Sequence, residues 1–166
     1  MEVIRISSDD EKSWPLFPVF EARVKAFIAK HLPDQPSNIV NYTMQELRQR
    51  WINTPQLCGY WLVNEGEKAV AHFYGYISNY YDQPFIYIHQ AECDEGHILG
   101  PASKSVMDSV ELWAAISNSK LAEANKITSF ELCTWRNASA WERYLGSLGY
   151  TSIQTRSVLK CKLRGM

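Results

Sequence analysis

Hydrophobic positions follow two rhythms along the chain, and the switches between them outline its elements. From Glu2 to Ser7, Val3 and Arg5 alternate with Ile4, a period of two that predicts a short first strand. Phe17, Phe20, Val24, Phe27 and Ile28 then recur at helical spacing, and Pro33 and Pro36 end that helix. Thr43 stands three residues before Glu46, the pattern of a reciprocal N-terminal cap, and Met44, Leu47 and Trp51 share one face, so a second helix is predicted from Thr43 to about Asn53. The apolar runs LCGYWLVN (57–64), AVAHFYGYI (69–77) and FIYIHQAEC (85–93) are separated by Asn64-Glu65-Gly66-Glu67 and Asp82-Gln83-Pro84. Turn residues between aromatic and β-branched runs predict three consecutive antiparallel strands.

After Gly96 the period changes again. Val106, Val110, Trp113, Ala114 and Leu121 predict a long helix, and ITSFELCTW (127–135) a strand. Ser139 precedes Glu142 by three in a second capping pattern, Trp141, Tyr144, Leu145 and Leu148 form one face, and Gly149 supplies the stop. The segment from Ile153 to Leu163 is strand-like, with Lys160 and Lys162 suited to an exposed edge.

A length of 166 residues suits one domain, 1–166, and a 46% hydrophobic fraction is enough for a folded core. The net charge of −1 gives no global attraction to nucleic acid or to an anionic membrane, so neither is an expected partner. The start MEVIRISSDDEKSW has no secretory-signal pattern and no run spans a bilayer, so a cytoplasmic location is expected. Cys58, Cys93, Cys133 and Cys161, like His31, His72, His89 and His97, are too scattered for a metal-ligand spacing; free thiols and no metal are expected.

Two segments carry a family resemblance. HILGPA, His97 to Ala102, lies between a predicted strand and a predicted helix and resembles the phosphate loop [RQ]xxGx[GA] of the GNAT superfamily of N-acetyltransferases. Such a loop works because main-chain N–H groups at a helix start converge on a pyrophosphate, with the helix dipole adding to the attraction. His97 stands where the family usually has Arg or Gln, and Pro101 has no N–H to donate. WRNASAWERYLGSLGY, Trp135 to Tyr150, resembles the family's NxxAxxxYxxxGF ending through Asn137, Ala140, Tyr144, Gly149 and Tyr150, with one extra residue between Tyr144 and Gly149.

The resemblance implies an α/β fold of the α+β kind: a single GNAT-type domain with a central mixed, mostly antiparallel sheet flanked by helices. It implies acetyl-CoA or another acyl-CoA as co-substrate, an amine acceptor and no metal. Gln90, Ala91 and Glu92 would present main-chain groups to the pantetheine arm. His97, Leu99, Gly100, Ala102, Ser103 and Lys104 would surround the phosphates, with Asn137 in the same coenzyme-binding set. Tyr144 would be the general acid toward the departing thiolate. His89 and Glu92 are the candidate bases for the amine, His89 by its ordinary pKa. Each also has a purely structural alternative: Gly100-Pro101 as a simple helix start, Tyr144 as a core aromatic, His89 as a packed strand residue.

The function implied is direct acyl transfer from acyl-CoA to an amine in a ternary complex. The alternative is a non-catalytic module of the same fold, since the ending and the divergent loop are also similar to GNAT-like proteins of phage genomes, some of them virion or host-interaction components. A homodimer is compatible with either.

Overall fold

The computed structural model describes residues 1–80, 83–97, 100–132 and 138–151. The chain forms two compact units, Met1–Trp135 and Arg136–Met166. In the first, β1 (Glu2–Arg5), β2 (Cys58–Glu65), β3 (Lys68–Tyr80), β4 (Gln83–Cys93) and β5 (Phe130–Leu132) lie side by side in sequence order. The first four pair antiparallel and β5 pairs parallel with β4, giving the mixed, mostly antiparallel sheet that was expected. Helices α1 (Phe17–His31), α2 (Ser37–Asn53) and α3 (Pro101–Asn118) complete this unit. The second unit holds α4 (Ala138–Ser147).

Strand alternation sorts the sheet residues between two layers. Cys58, Tyr60, Leu62 and Tyr74 pack with Phe17, Phe20, Val24, Ile28 and Leu47 of α1 and α2. Phe20 stacks on Tyr60 at 4.9 Å, and the Tyr60 hydroxyl donates to the Leu47 carbonyl at 2.8 Å, so this buried phenol is satisfied. On the other face Trp61 donates to Ser109 Oγ at 2.8 Å and meets Trp113 edge-on, which seats α3. Burying each such large side chain contributes about 1.5–3 kcal/mol, which is why the helical stripes and strand alternation dominate the architecture.

Four boundaries differ from the sequence expectation, two of them for a local reason that hydrogen bonds show. Helix α2 begins at Ser37, because Pro36 enters extended and its carbonyl accepts from Ile39 and Val40. Thr43 is therefore inside the helix, its hydroxyl donating back to the Ile39 carbonyl at 3.0 Å rather than capping. Helix α3 stops at Asn118, whose side-chain amide brackets Ile127 by donating to its carbonyl and accepting from its N–H; Leu121 lies beyond the helix. Strand β5 is confined to Phe130–Leu132 among the described residues. Helix α4 begins one residue before Ser139, which places Ser139 inside rather than at the cap.

The stop at Gly149 holds: it has a φ of 94°, and Tyr150 N–H reaches back to the Leu145 carbonyl while Gly149 N–H reaches Gly146. The expected strand from Ile153 to Leu163 lies outside the described residues, as do Asp82 and 133–137.

Candidate active site

The register of β3 against β4 breaks at one place. Tyr74 pairs with Gln90 but Gly75 pairs with Ile88, leaving His89 as the extra residue of a β-bulge. A bulge turns two successive side chains toward the same face. Gln90 thus reaches His72, while His89 lies among Tyr74, Tyr76 and Tyr87, with ring centroids 5.3, 6.3 and 5.6 Å away. The β4–β5 ladder runs only from Ile86 and Phe130 to Ile88 and Leu132, so it ends beside the bulge among the described residues. Residues 89–92 continue β4 past that ladder with a main-chain edge that no described strand pairs.

His89 is half-buried, and its Nδ1 is buried without a hydrogen-bond partner among the described residues. Burial and, secondarily, the positive charge of Arg50 push its pKa below the ordinary histidine value, so the ring is neutral and able to accept a proton at neutral pH. Arg50, in the last turn of α2, lies over Tyr76 with Cζ 4.1 Å from the ring centroid. Burial also pushes the Tyr76 phenol up to about 12, so it stays protonated. Arg50 was missed from sequence because nothing in the α2 pattern says which part of the sheet its C-terminal turn meets. Of the strand aromatics, Trp61, Phe73 and Tyr74 are buried in the core, and Tyr74, Tyr76 and Tyr87 surround His89.

Glu92, the other candidate base, faces α1. Its carboxylate lies 3.0 Å from Lys30 Nζ and 3.5 Å from His31 Nε2. These two contacts keep the carboxylate occupied, which makes it a tether for α1. Gln90 is buried and pairs through Oε1 with His72 Nε2 at 3.1 Å. Since Arg23 Nε donates to His72 Nδ1 at 3.4 Å, the His72 proton must sit on Nε2. Arg23 also holds Asp94 Oδ1 at 2.9 Å and the Ala69 carbonyl at 3.1 Å, which fixes the end of β4 where the loop to α3 begins.

Burial drives the His72 pKa down to about 4. The unfolded chain binds this proton below about 6.5 while the folded chain refuses it until about pH 4, so stability falls as pH drops through that window. At about 1.4 kcal/mol per pKa unit this amounts to a few kcal/mol. Urea unfolding at pH 7 and pH 5 should show that loss in the parent and a clearly smaller one in His72→Gln; equal slopes would remove His72 as the cause.

In the loop, Gly96 has a φ of 87° and His97 N–H returns to the Asp94 carbonyl. His97 Nε2 lies 3.1 Å from Glu65 Oε2, which ties the loop to the β2–β3 hairpin. Gly100 is the N-cap of α3 and Pro101 its first residue. Ala102 and Ser103 are fully buried, and the Ser103 hydroxyl lies 3.6 Å from Cys93 Sγ. Lys104 is held by Asp108 at 2.8 Å. Leu99 and Asn137 lie outside the described residues. Tyr144, in the second unit, is half-buried with its ring edge-on to Trp141 at 6.2 Å. Cys58 and Cys93 are buried free thiols, and burial raises the Cys58 pKa. Among the described residues no helix is long and apolar enough to cross a membrane.

No protein-family model matches this sequence, and neither does any curated protein. Solved structures do match in fold. A structure of AAC(6')-Iy in complex with the bisubstrate analogue CoA-S-monomethyl-acetylneamine superposes with a TM-score of 0.64 at 10% identity, covering 98% of this chain and 97% of the other. A predicted acetyltransferase with acetyl-CoA from Clostridium acetobutylicum gives 0.64 at 12% identity, over 96% of this chain and 95% of that one. The aminoglycoside antibiotic 6'-N-acetyltransferase AAC(6')-IG from Acinetobacter haemolyticus gives 0.58 at 14% identity, over 98% and 99%. The fold is therefore of the GNAT acetyltransferase type, as the two sequence segments implied.

Proposed function

We propose that the chain, 1–166 as a single domain, is an acyl-CoA-dependent N-acyltransferase that moves an acyl group directly to a bound amine. The observation that carries this reading is the bulge at His89, beside the end of the β4–β5 ladder, on the strand that runs into the loop and start of α3. The fold shared with acetyltransferases, two of them in complexes with CoA-derived ligands, supports it.

In this reading the main-chain edge at Gln90, Ala91 and Glu92, which no described strand pairs, takes the amides of the pantetheine arm, and the start of α3 at Gly100 meets the pyrophosphate. Main-chain N–H groups of β4 polarise the thioester carbonyl. His89 takes a proton from the attacking amine, directly or through one water, and Tyr144 returns one to the departing thiolate. No cysteine is paired with a base among the described residues, so a ternary complex needs fewer groups than an acyl-enzyme. The net charge of −1 gives no general attraction to a nucleic-acid acceptor.

Calorimetry with acetyl-CoA and desulfo-CoA tests the coenzyme half of the proposal. Micromolar binding is expected, weakened at least tenfold in Gly100→Val because a side chain there blocks close approach to the main chain. No binding at millimolar ligand would instead favour a non-catalytic module. His97 tied to Glu65 and the missing N–H of Pro101 are the features that favour that second reading.

A further inference from the structure

We infer that the acceptor is an amine carrying a carboxylate, which the Arg50 guanidinium binds while the amine faces His89. The inference rests on the acyltransferase reading and names the class of its second substrate. It starts from the pairing of cations on the α1–α2 face of the sheet. Arg23 is taken up by Asp94, Arg48 by Glu21 and Lys30 by Glu92, at 2.9, 2.7 and 3.0 Å.

Arg50 is different. Among the described residues its one carboxylate partner is Glu46, reached through Nε at 3.7 Å. That is a surface contact between residues four apart on one helix, weak and easily exchanged. No described residue accepts a hydrogen bond from its two terminal nitrogens. They form a planar fork whose geometry matches a carboxylate with two parallel hydrogen bonds.

The fork is also pre-oriented. Its Cζ stacks 4.1 Å over Tyr76, whose ring lies 6.3 Å from His89 on the same aromatic wall, and the Arg50 side chain is 45% exposed, so a ligand can reach it. One tyrosine ring therefore separates a cation with spare donors from the buried, unpartnered Nδ1 of His89. A small molecule with an amine at one end and a carboxylate at the other spans that interval. A polycationic amine would instead meet like charge at Arg50.

Binding of the product type tests this without relying on turnover. A panel of N-acetyl amino acids and the matching N-acetyl amino amides would be titrated by NMR into the full chain with CoA present, for the parent, Arg50→Met and Arg50→Lys. The acid is expected to bind the parent at least tenfold more tightly than its amide. That ratio should collapse to near one in Arg50→Met, with the amide unchanged, and recover partly in Arg50→Lys.

Equal binding of acid and amide by the parent, or a preference that survives Arg50→Met, would overturn the inference. So would tighter binding of a phosphonate analogue, which would reassign the site to phosphate-bearing amines. A carboxylate preference that depends on Arg50, in a protein that neither binds CoA nor releases thiol from acetyl-CoA, would uphold the anion site while sinking the acyltransferase reading.

Discussion

Replacing His89 by alanine is expected to lower kcat by about 10²–10⁴, the range that a positioned general base contributes, while leaving acetyl-CoA affinity within a factor of two or so. The expectation follows from three structural facts. His89 is the residue that the β4 bulge excludes from the ladder, its Nδ1 has no partner among the described residues, and burial favours its neutral ring. A base acts in the transition state, so its loss appears in kcat rather than in coenzyme binding.

The pH profile separates this role from a packing role. Because the His89 pKa is lowered, the ring remains neutral to below the ordinary value of 6.5, and its own protonation depresses the rate only below that pH. Removing the nearby positive charge in Arg50→Met relieves one of the two causes, so the NMR titration of His89 should move upward. Tyr144→Phe should likewise reduce kcat more than it raises KM if its hydroxyl protonates the thiolate. A His89→Ala protein that keeps more than a tenth of the parent kcat would remove His89 from the chemistry.

The second large effect is expected at Gly75, where substitution by alanine should cost about 3 kcal/mol. A Cβ at this position would collide with the Tyr87 main-chain carbonyl oxygen and lie 3.1 Å from Ile88 Cα. Both obstacles are backbone, so no side chain can swing aside and the β3–β4 ladder itself has to open. Gly75 pairs with Ile88, directly beside His89, so the absence of a side chain allows the close approach at which the bulge forms.

For a chain of this size the loss corresponds to a fall in Tm of roughly 6–12 °C. Gly146, inside α4 with open space around its missing Cβ, provides the contrast: Gly146→Ala should be neutral or stabilising by up to about 1 kcal/mol. Equal Tm values for the parent and Gly75→Ala would show that the ladder gives way without cost.

Patterns governed by near neighbours were legible in the sequence. The stripe Phe17, Phe20, Val24, Phe27, Ile28 places five apolar residues on one side of a helix whatever it packs against, and all five are buried in α1. The apolar, aromatic-rich runs 57–64 and 69–77 between turn residues specify strands, and Gly66 and Gly149 mark a turn and a helix stop because both adopt positive φ. Those local signals, with the HILGPA and WRNASAWERYLGSLGY segments, were sufficient for the GNAT-type fold.

Boundaries set by a competing hydrogen bond were not legible. Thr43 looked like a cap, but the Pro36 carbonyl starts α2 six residues earlier, and Asn118 ends α3 by binding a residue nine positions away. The composition of the site depends on contacts at still greater separations. His89 and Glu92 are equivalent as strand residues with titratable side chains; the tertiary structure separates them by pairing Glu92 with Lys30 and leaving His89 Nδ1 unpartnered. Arg50 meets Tyr76, and Arg23 meets His72 and Asp94, only because α1 and α2 pack on the sheet. A linear pattern records which face of an element is apolar, but the charge of a site is decided by which elements meet there, and that meeting is a property of the folded chain alone.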